Sequence, residues 1–151
     1  MTALIVIVSA DREYARLVAE ALRDAGYTVI CCVEGHLAHE TIRRERPAVV
    51  LLDVWLEHPR GGEMVLGMLH IDPATRAIPV IVCPPDKRSL AELAEHLAGT
   101  PHRILPKPFN IEELLALVAS LLAANGASAA AGPPHRPARR SEPGDLDAPE
   151  I

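Results

Sequence analysis

Three short stretches of this 151-residue chain place chemically capable side chains directly after runs able to bury them. Asp53 follows Ala48-Val49-Val50-Leu51-Leu52, Ser9-Ala10-Asp11 follows Leu4-Ile5-Val6-Ile7-Val8, and Lys107-Pro108-Phe109 follows Arg103-Ile104-Leu105. A carboxylate at a strand end can act as a nucleophile, help hold a hard cation, or simply pair with an ammonium group. Other clusters are weaker. His36 and His39 are three apart on a predicted helix, a chelating spacing, but with no third ligand nearby they read as solvated surface residues. His58 and His70 read as loop and helix-end residues, and Met64 and Met68, four apart, as core packing. Cys31, Cys32 and Cys83 are odd in number and lack metal-ligand spacing, so they read as reduced thiols in or near the core. No nucleophile–base pair and no phosphate-cradling glycine loop is visible, which argues against an ordinary enzyme.

The elements that must position these residues alternate along the chain. Leu4 to Val8 is a β-branched run of the kind buried on both faces of a sheet. Tyr14, Leu17, Val18, Ala21, Leu22 and Ala25 follow at helical spacing, and Gly26 is a helix-ending glycine. Tyr27 to Val33 predicts a second strand, Leu37 to Arg46 a helix ended by Pro47, and Ala48 to Asp53 a third strand. Met64 to Leu69 marks another helix and Pro79 to Cys83 a fourth strand. Ser89 and Glu92 offer a capping box to the next helix. Arg103 to Leu105 is a short fifth strand, and Asn110 and Glu113 cap a last helix striped by Ile111, Leu114, Leu115, Val118, Leu121 and Leu122. Five strand–helix rounds argue for an α/β parallel sheet with helices on both faces.

The length suits one ordinary domain, expected over residues 1–125. Apolar residues make up 49% of the chain and aromatics 3%, so the core is built from Leu, Val, Ile and Ala. Residues 126–151, rich in Pro, Ala and Arg and without apolar period, read as a disordered tail. The net charge of -5 argues against nucleic-acid binding, and the Arg139-Arg140 pair is followed closely by Glu142, Asp145, Asp147 and Glu150. The first apolar run is too short to span a bilayer and no basic segment precedes it, so no membrane association and a cytoplasmic location are expected.

Over about residues 3–124 the sequence resembles the CheY-like receiver domains of response regulators. The stretches that carry the likeness are Asp24-Ala25-Gly26-Tyr27, Pro47 to Asp53, Gly61, Ile78-Pro79-Val80-Ile81 and Lys107-Pro108-Phe109. The resemblance implies a flavodoxin-like (βα)5 doubly wound sheet of order 2-1-3-4-5. The first and third strands are then adjacent at the topological switch point, so that Ser9-Ala10-Asp11, Asp53 and Lys107 converge on one crevice. It further implies that Asp53 is the phosphoacceptor, attacking a phosphohistidine of a histidine kinase, that Lys107 contacts the phosphoryl oxygens, and that the Lys107–Pro108 bond is cis. Magnesium would be held by the acidic residues after the first strand, by Asp53 and by the carbonyl of Trp55.

The sequence departs from that pattern at several points. Ser9 and Ala10 stand where the family places an acidic pair, Pro84 where it has a hydroxyl, and Ile104 where it has a switch aromatic. Leu56-Glu57 replaces its Met-Pro, and Arg60 replaces an acid. Asp11, one place beyond the acidic pair, serves either as a helix cap or as a metal ligand. No cofactor is required on this reading, and magnesium is held weakly at most. The chain is therefore expected to be an atypical single-domain response regulator that works by protein contacts, with impaired metal-dependent phosphorylation. The alternatives are a functional acceptor phosphorylated at Asp53 and a small-ligand sensor using the vacated acidic pocket. Partners would be a histidine kinase or another signalling protein, or a second copy through helix 4, strand 5 and helix 5.

Overall fold

Five apolar runs become the five strands of a single parallel sheet, each followed by a helix. In the computed structural model, which describes residues 2–54, 61–84 and 87–131, the order is β1 (Leu4–Val8), α1 (Arg12–Asp24), β2 (Thr28–Cys32), α2 (Gly35–Glu45), β3 (Val49–Asp53), α3 (Gly61–Ile71), β4 (Val80–Cys83), α4 (Lys87–Leu97), β5 (Arg103–Ile104) and α5 (Ile111–Ala131). The strands pair in the expected order β2-β1-β3-β4-β5. The chain divides into two compact units, Met1–Ala116 and Leu117–Ile151. The first holds the sheet and α1 to α4; the second contains the C-terminal part of α5.

Alternation along the strands assigns the two faces. Val6, Val8, Val50, Leu52, Val80 and Val82 join Ala38 and Ile42 of α2, Val65 and Leu69 of α3, and Leu93 and Leu97 of α4 in one apolar core. Ile5, Ile7, Leu51 and Ile81, which point the opposite way, are equally buried, as are Ala15, Ala19 and Leu22 of α1. Strands covered on both sides need continuous apolar runs, which is why β1, β3 and β4 lack polar alternation.

The helix ends follow from particular residues. Asp11 caps α1 by accepting a hydrogen bond from the Tyr14 amide at 3.1 Å. At the other end the amide of Tyr27 donates to Leu22 O and that of Gly26 to Arg23 O, with Gly26 at φ 102°, a Schellman closure that only glycine adopts without strain. Asn110 and Glu113 form the expected reciprocal box: the Glu113 amide donates to Asn110 Oδ1 at 2.8 Å and the Asn110 amide to Glu113 Oε1 at 3.0 Å. Two expectations differ. α4 begins at Lys87, upstream of the cap predicted at Ser89, so Ser89 lies inside the helix. α5 continues past Asn125 to Ala131, because its end is rich in alanine, the best helix former.

Between α2 and the turn after α3 lies a polar clamp. Asp72 accepts from the Ala74 amide at 2.9 Å, meets His39 Nε2 at 2.8 Å and lies 3.2 Å from Arg43 Nε. The Ala74 amide, together with His39 and Arg43, holds the Asp72 carboxyl below the usual carboxylate range. His39 is thus a half-buried bridging residue and not the solvated one its spacing suggested. Thr75, fully buried, donates its hydroxyl to Leu69 O at 2.7 Å and ties off the end of α3. Met64 and Met68, expected in the core, are instead exposed, because α3 buries Val65 and Leu69 and turns both methionines outward.

Two positions carry measurable strain or linkage. Arg46 ends α2 in the left-handed region at φ 52°, which costs a residue with a Cβ about 1–2 kcal/mol. After allowing for the extra freedom glycine gives the unfolded chain, Arg46→Gly is expected to stabilise the protein by about 0.5–1 kcal/mol in urea unfolding. His102 is buried, and its Nδ1 accepts from the Val80 amide at 3.0 Å. Burial, with His70 nearby, pushes its pKa below the ordinary histidine value. Above the unfolded value of roughly 6.5 both states are neutral and the contribution is complete. Below it the unfolded chain takes up a proton that the folded chain resists, so stability falls with pH until the folded pKa is reached. Melting temperature should therefore drop as the pH is lowered through roughly 6.5, and His102→Asn, which keeps an acceptor for Val80, should flatten that slope.

Candidate functional site

The parallel pairing of β1 with β3, in which Val8 is opposite Leu52, brings the C-terminal ends of both strands to the same edge. Asp53 closes β3 and is 5% exposed; Ser9 follows β1 and is 1% exposed. The Ser9 hydroxyl donates to Asp53 Oδ2 at 2.5 Å and accepts from the Asp11 amide at 3.2 Å. Lys107, arriving after β5, places Nζ against Asp53 Oδ1. Both carboxylate oxygens are therefore engaged by side chains of the protein itself. A carboxylate buried to this degree requires such compensation, and an ammonium plus a hydroxyl supplies it.

Lys107 is held from a second side. Its Nζ lies 4.2 Å from the centroid of the Tyr14 ring, a cation–π contact, and Tyr14 meets Phe109 edge-on with centroids 6.4 Å apart. Tyr14, Lys107, Pro108 and Phe109 line a pocket of about 400 Å³ beside the carboxylate. The Tyr14 hydroxyl is buried without a hydrogen-bond partner among the described residues. Burial, then the charges of Cys83, Asp53 and Asp11, drives its pKa upward, so it stays protonated. Cys83 pairs in register with Asp53, and burial, reinforced by the carboxylate, pushes its thiol up to about 12; it is an inert thiol.

The family-derived positions fall as follows. Ser9, Asp53 and Lys107 are brought together. Ala10 is exposed and offers no side-chain ligand, and Asp11 uses its carboxylate to cap α1. Pro84 has no hydroxyl, yet its carbonyl accepts from the Lys107 amide at 3.1 Å and so still ties the end of β4 to the segment after β5. Ile104 lies half-buried on β5 and packs against the core. The Lys107–Pro108 bond is cis. Trp55, Leu56, Glu57, His58 and Arg60 lie outside the described residues. Magnesium asks for several hard oxygens in near-octahedral array. With Asp53 engaged twice, Ala10 mute and Asp11 turned to its helix, the described residues fit that ion poorly. Among them no group of three or more His, Cys, Asp or Glu side chains is placed to hold a metal.

Sequence reasoning singled out Gly61; its neighbour Gly62 makes a close approach that it did not foresee. A Cβ on Gly62 would lie 2.2 Å from Asp53 O and 2.5 Å from Val54 Cα, and the Gly62 amide donates to Val54 O at 2.8 Å. Gly62 thus lets α3 start hard against the strand end that carries Asp53. Tyr14 was also missed as a site residue: its helical spacing marked it as apolar packing, and only the fold shows it lying over Lys107.

A family model described as the response regulator receiver domain matches residues 5–119. The curated relatives include Protein Rrf1 of Nitratidesulfovibrio vulgaris, 32% identical over 123 residues that cover 82% of this chain and 85% of the relative. Response regulator MprA of Mycobacterium ulcerans is 31% identical over 122 residues, and there the match covers 81% of this chain but only 51% of MprA. Among solved structures, the signal receiver domain of a signal transduction histidine kinase from Syntrophus aciditrophicus has a TM-score of 0.71 at 23% identity, covering 82% of this chain and 92% of that one, a likeness of fold alone. The chain belongs to the response regulator receiver domain family. Its members are modules of two-component signalling. Among the described residues no helix is long and apolar enough to cross a membrane.

Two of the three glycines of α3, Gly62 and Gly67, make opposite predictions. Gly62→Ala is expected to destabilise the protein by more than about 2 kcal/mol, since backbone must move to admit the methyl. Nothing lies within 4 Å of a Cβ on Gly67. Gly67→Ala should therefore be stabilising by about 0.5–1 kcal/mol, the ordinary helix-propensity gain. Equilibrium unfolding of the two variants beside the parent protein checks both.

Proposed function

We propose that this receiver domain works chiefly as a protein-interaction module of two-component signalling, with metal-dependent phosphoryl transfer to Asp53 impaired. The observation that carries the reading is the hydrogen bond from Ser9 to Asp53, together with the Lys107 contact on the other carboxylate oxygen. A serine hydroxyl takes the place of an anionic ligand and donates to the very oxygen a cation would need. Ala10 adds nothing, and Asp11 satisfies its helix. Magnesium binding is correspondingly weak, and no cofactor is needed for a function based on contacts.

The readout is altered as well. Pro84 offers no hydroxyl to a phosphoryl group, and aliphatic Ile104 cannot perform an aromatic rotation. Signalling then passes through a surface recognised by a histidine kinase or another signalling protein in the cytoplasm. A second reading, a working acceptor, is favoured by one observation: Asp53 and Lys107 remain in direct contact at the crevice, so nucleophile and ammonium are both in place.

Intact mass after incubation with magnesium and a small phosphodonor separates the two. The parent protein should show no stoichiometric phosphoryl adduct. An adduct that disappears in Asp53→Asn would overturn the proposal and establish the second reading. Ser9→Asp combined with Ala10→Asp should restore magnesium-dependent labelling, with saturable quenching of Trp55, the single tryptophan of the chain, that the parent lacks.

A further inference from the structure

α3 is apolar on more sides than the described residues cover. Its sequence from Gly61 to Ile71 contains only two polar side chains, Glu63 and His70. One side is buried through Val65 and Leu69. The outward side carries Met64 at 59%, Met68 at 47% and Ile71 at 77% exposure, a stripe at the i, i+4, i+7 spacing of one helix face. A third side, with Glu63, Leu66, Gly67 and His70, lines a cavity of about 450 Å³ toward Leu93 and Leu97 of α4. A surface helix ordinarily turns charged residues to water. A continuous apolar stripe there marks a contact surface, and methionine is the side chain best able to repack in one.

The geometry points to a second copy of this chain as the occupant, docked α3 against α3 in antiparallel fashion. The stripe reads nearly the same in both directions. Met64 and Ile71 stand at its ends, about 10 Å apart along the axis, with Gly67 and Met68 between them. A two-fold axis beside Gly67 and Met68 sets Met64 against Ile71 of the second copy. An isologous contact requires that self-complementarity. The charges obey the same operation. Glu63 and His70 line one cavity and so share one flank of α3. Antiparallel pairing about that axis keeps the flank in common and places the Glu63 carboxylate beside His70 of the second copy at both ends. Gly67, in open space and costly to a helix, is the small residue that lets two helices come close at the axis. The contact is small, so the dimer is weak and concentration-dependent. It is distinct from the helix 4, strand 5 and helix 5 surface that the family resemblance implied.

Sedimentation equilibrium of the full chain over a wide concentration range tests this. The parent protein should show a reversible monomer–dimer equilibrium. Met68→Glu and, independently, Met64→Lys should weaken it at least tenfold while circular dichroism shows both variants folded. Gly67→Gln should do the same by bulk alone, and Arg103→Glu, on β5, should leave it unchanged. In a Cys31→Ser background, Gly67→Cys should form an intermolecular disulfide on mild oxidation. A parent protein that stays monomeric throughout would overturn the inference. So would folded Met68 and Met64 variants that dimerise like the parent, or a dimer abolished by Arg103→Glu.

Discussion

Everything at the crevice depends on one pairing, that of β1 with β3. Parallel neighbours end on the same side of a sheet, and a chain that crosses from β1 to β2 and then back to β3 must open its surface at that reversal. Because Val8 is opposite Leu52, Ser9, just after β1, and Asp53, the last residue of β3, are delivered to the same point at nearly the same height. A shift of one residue in this register would turn Asp53 toward the other face and replace the buried carboxylate with an aliphatic side chain. The polar site is thus a consequence of how two apolar strands pack, and the apolar residues that fix the register belong to it as much as Ser9 and Lys107 do.

Much of this was legible in the residues themselves. The β-branched runs, the glycine after α1 and the Asn110–Glu113 box each state a local structure, and five such rounds leave few topologies open. Asp53 stood out as a charged residue at the end of an apolar run, and the family resemblance singled out Lys107 as its partner. Other features were not legible, for a common physical reason. The Ser9–Asp53 hydrogen bond links residues 44 apart, the Asp72–His39 bridge residues 33 apart, and the Val80–His102 bond residues 22 apart. None leaves a local periodicity. His39 looked solvated because its partner lies beyond the end of another helix. Met64 and Met68 looked buried because helical spacing shows that a stripe exists without showing which stripe faces the core.

The shape of the crevice rests on main-chain contacts more than on the side chains that line it. The Pro84 carbonyl receives the Lys107 amide, the Lys107–Pro108 bond is cis, and Gly62 allows α3 to crowd the end of β3. Main-chain hydrogen bonds do not depend on side-chain identity, so the shape of a crevice is set separately from the charge of its lining. Buried charge in such a crevice must find compensation nearby, and the Lys107 ammonium and the Ser9 hydroxyl supply it.

The bond between Val80 and His102 does more than keep a buried ring neutral. Because Nδ1 accepts from a main-chain amide, the single proton of the imidazole is confined to Nε2, and the other tautomer would set two donors against each other inside the protein. The ring therefore has a fixed dipole, built into the wall of the cavity between α3 and α4 that it helps to line. An imidazole in water exchanges its tautomers freely; this one has a polarity as permanent as that of a peptide group, set by the first amide of a strand.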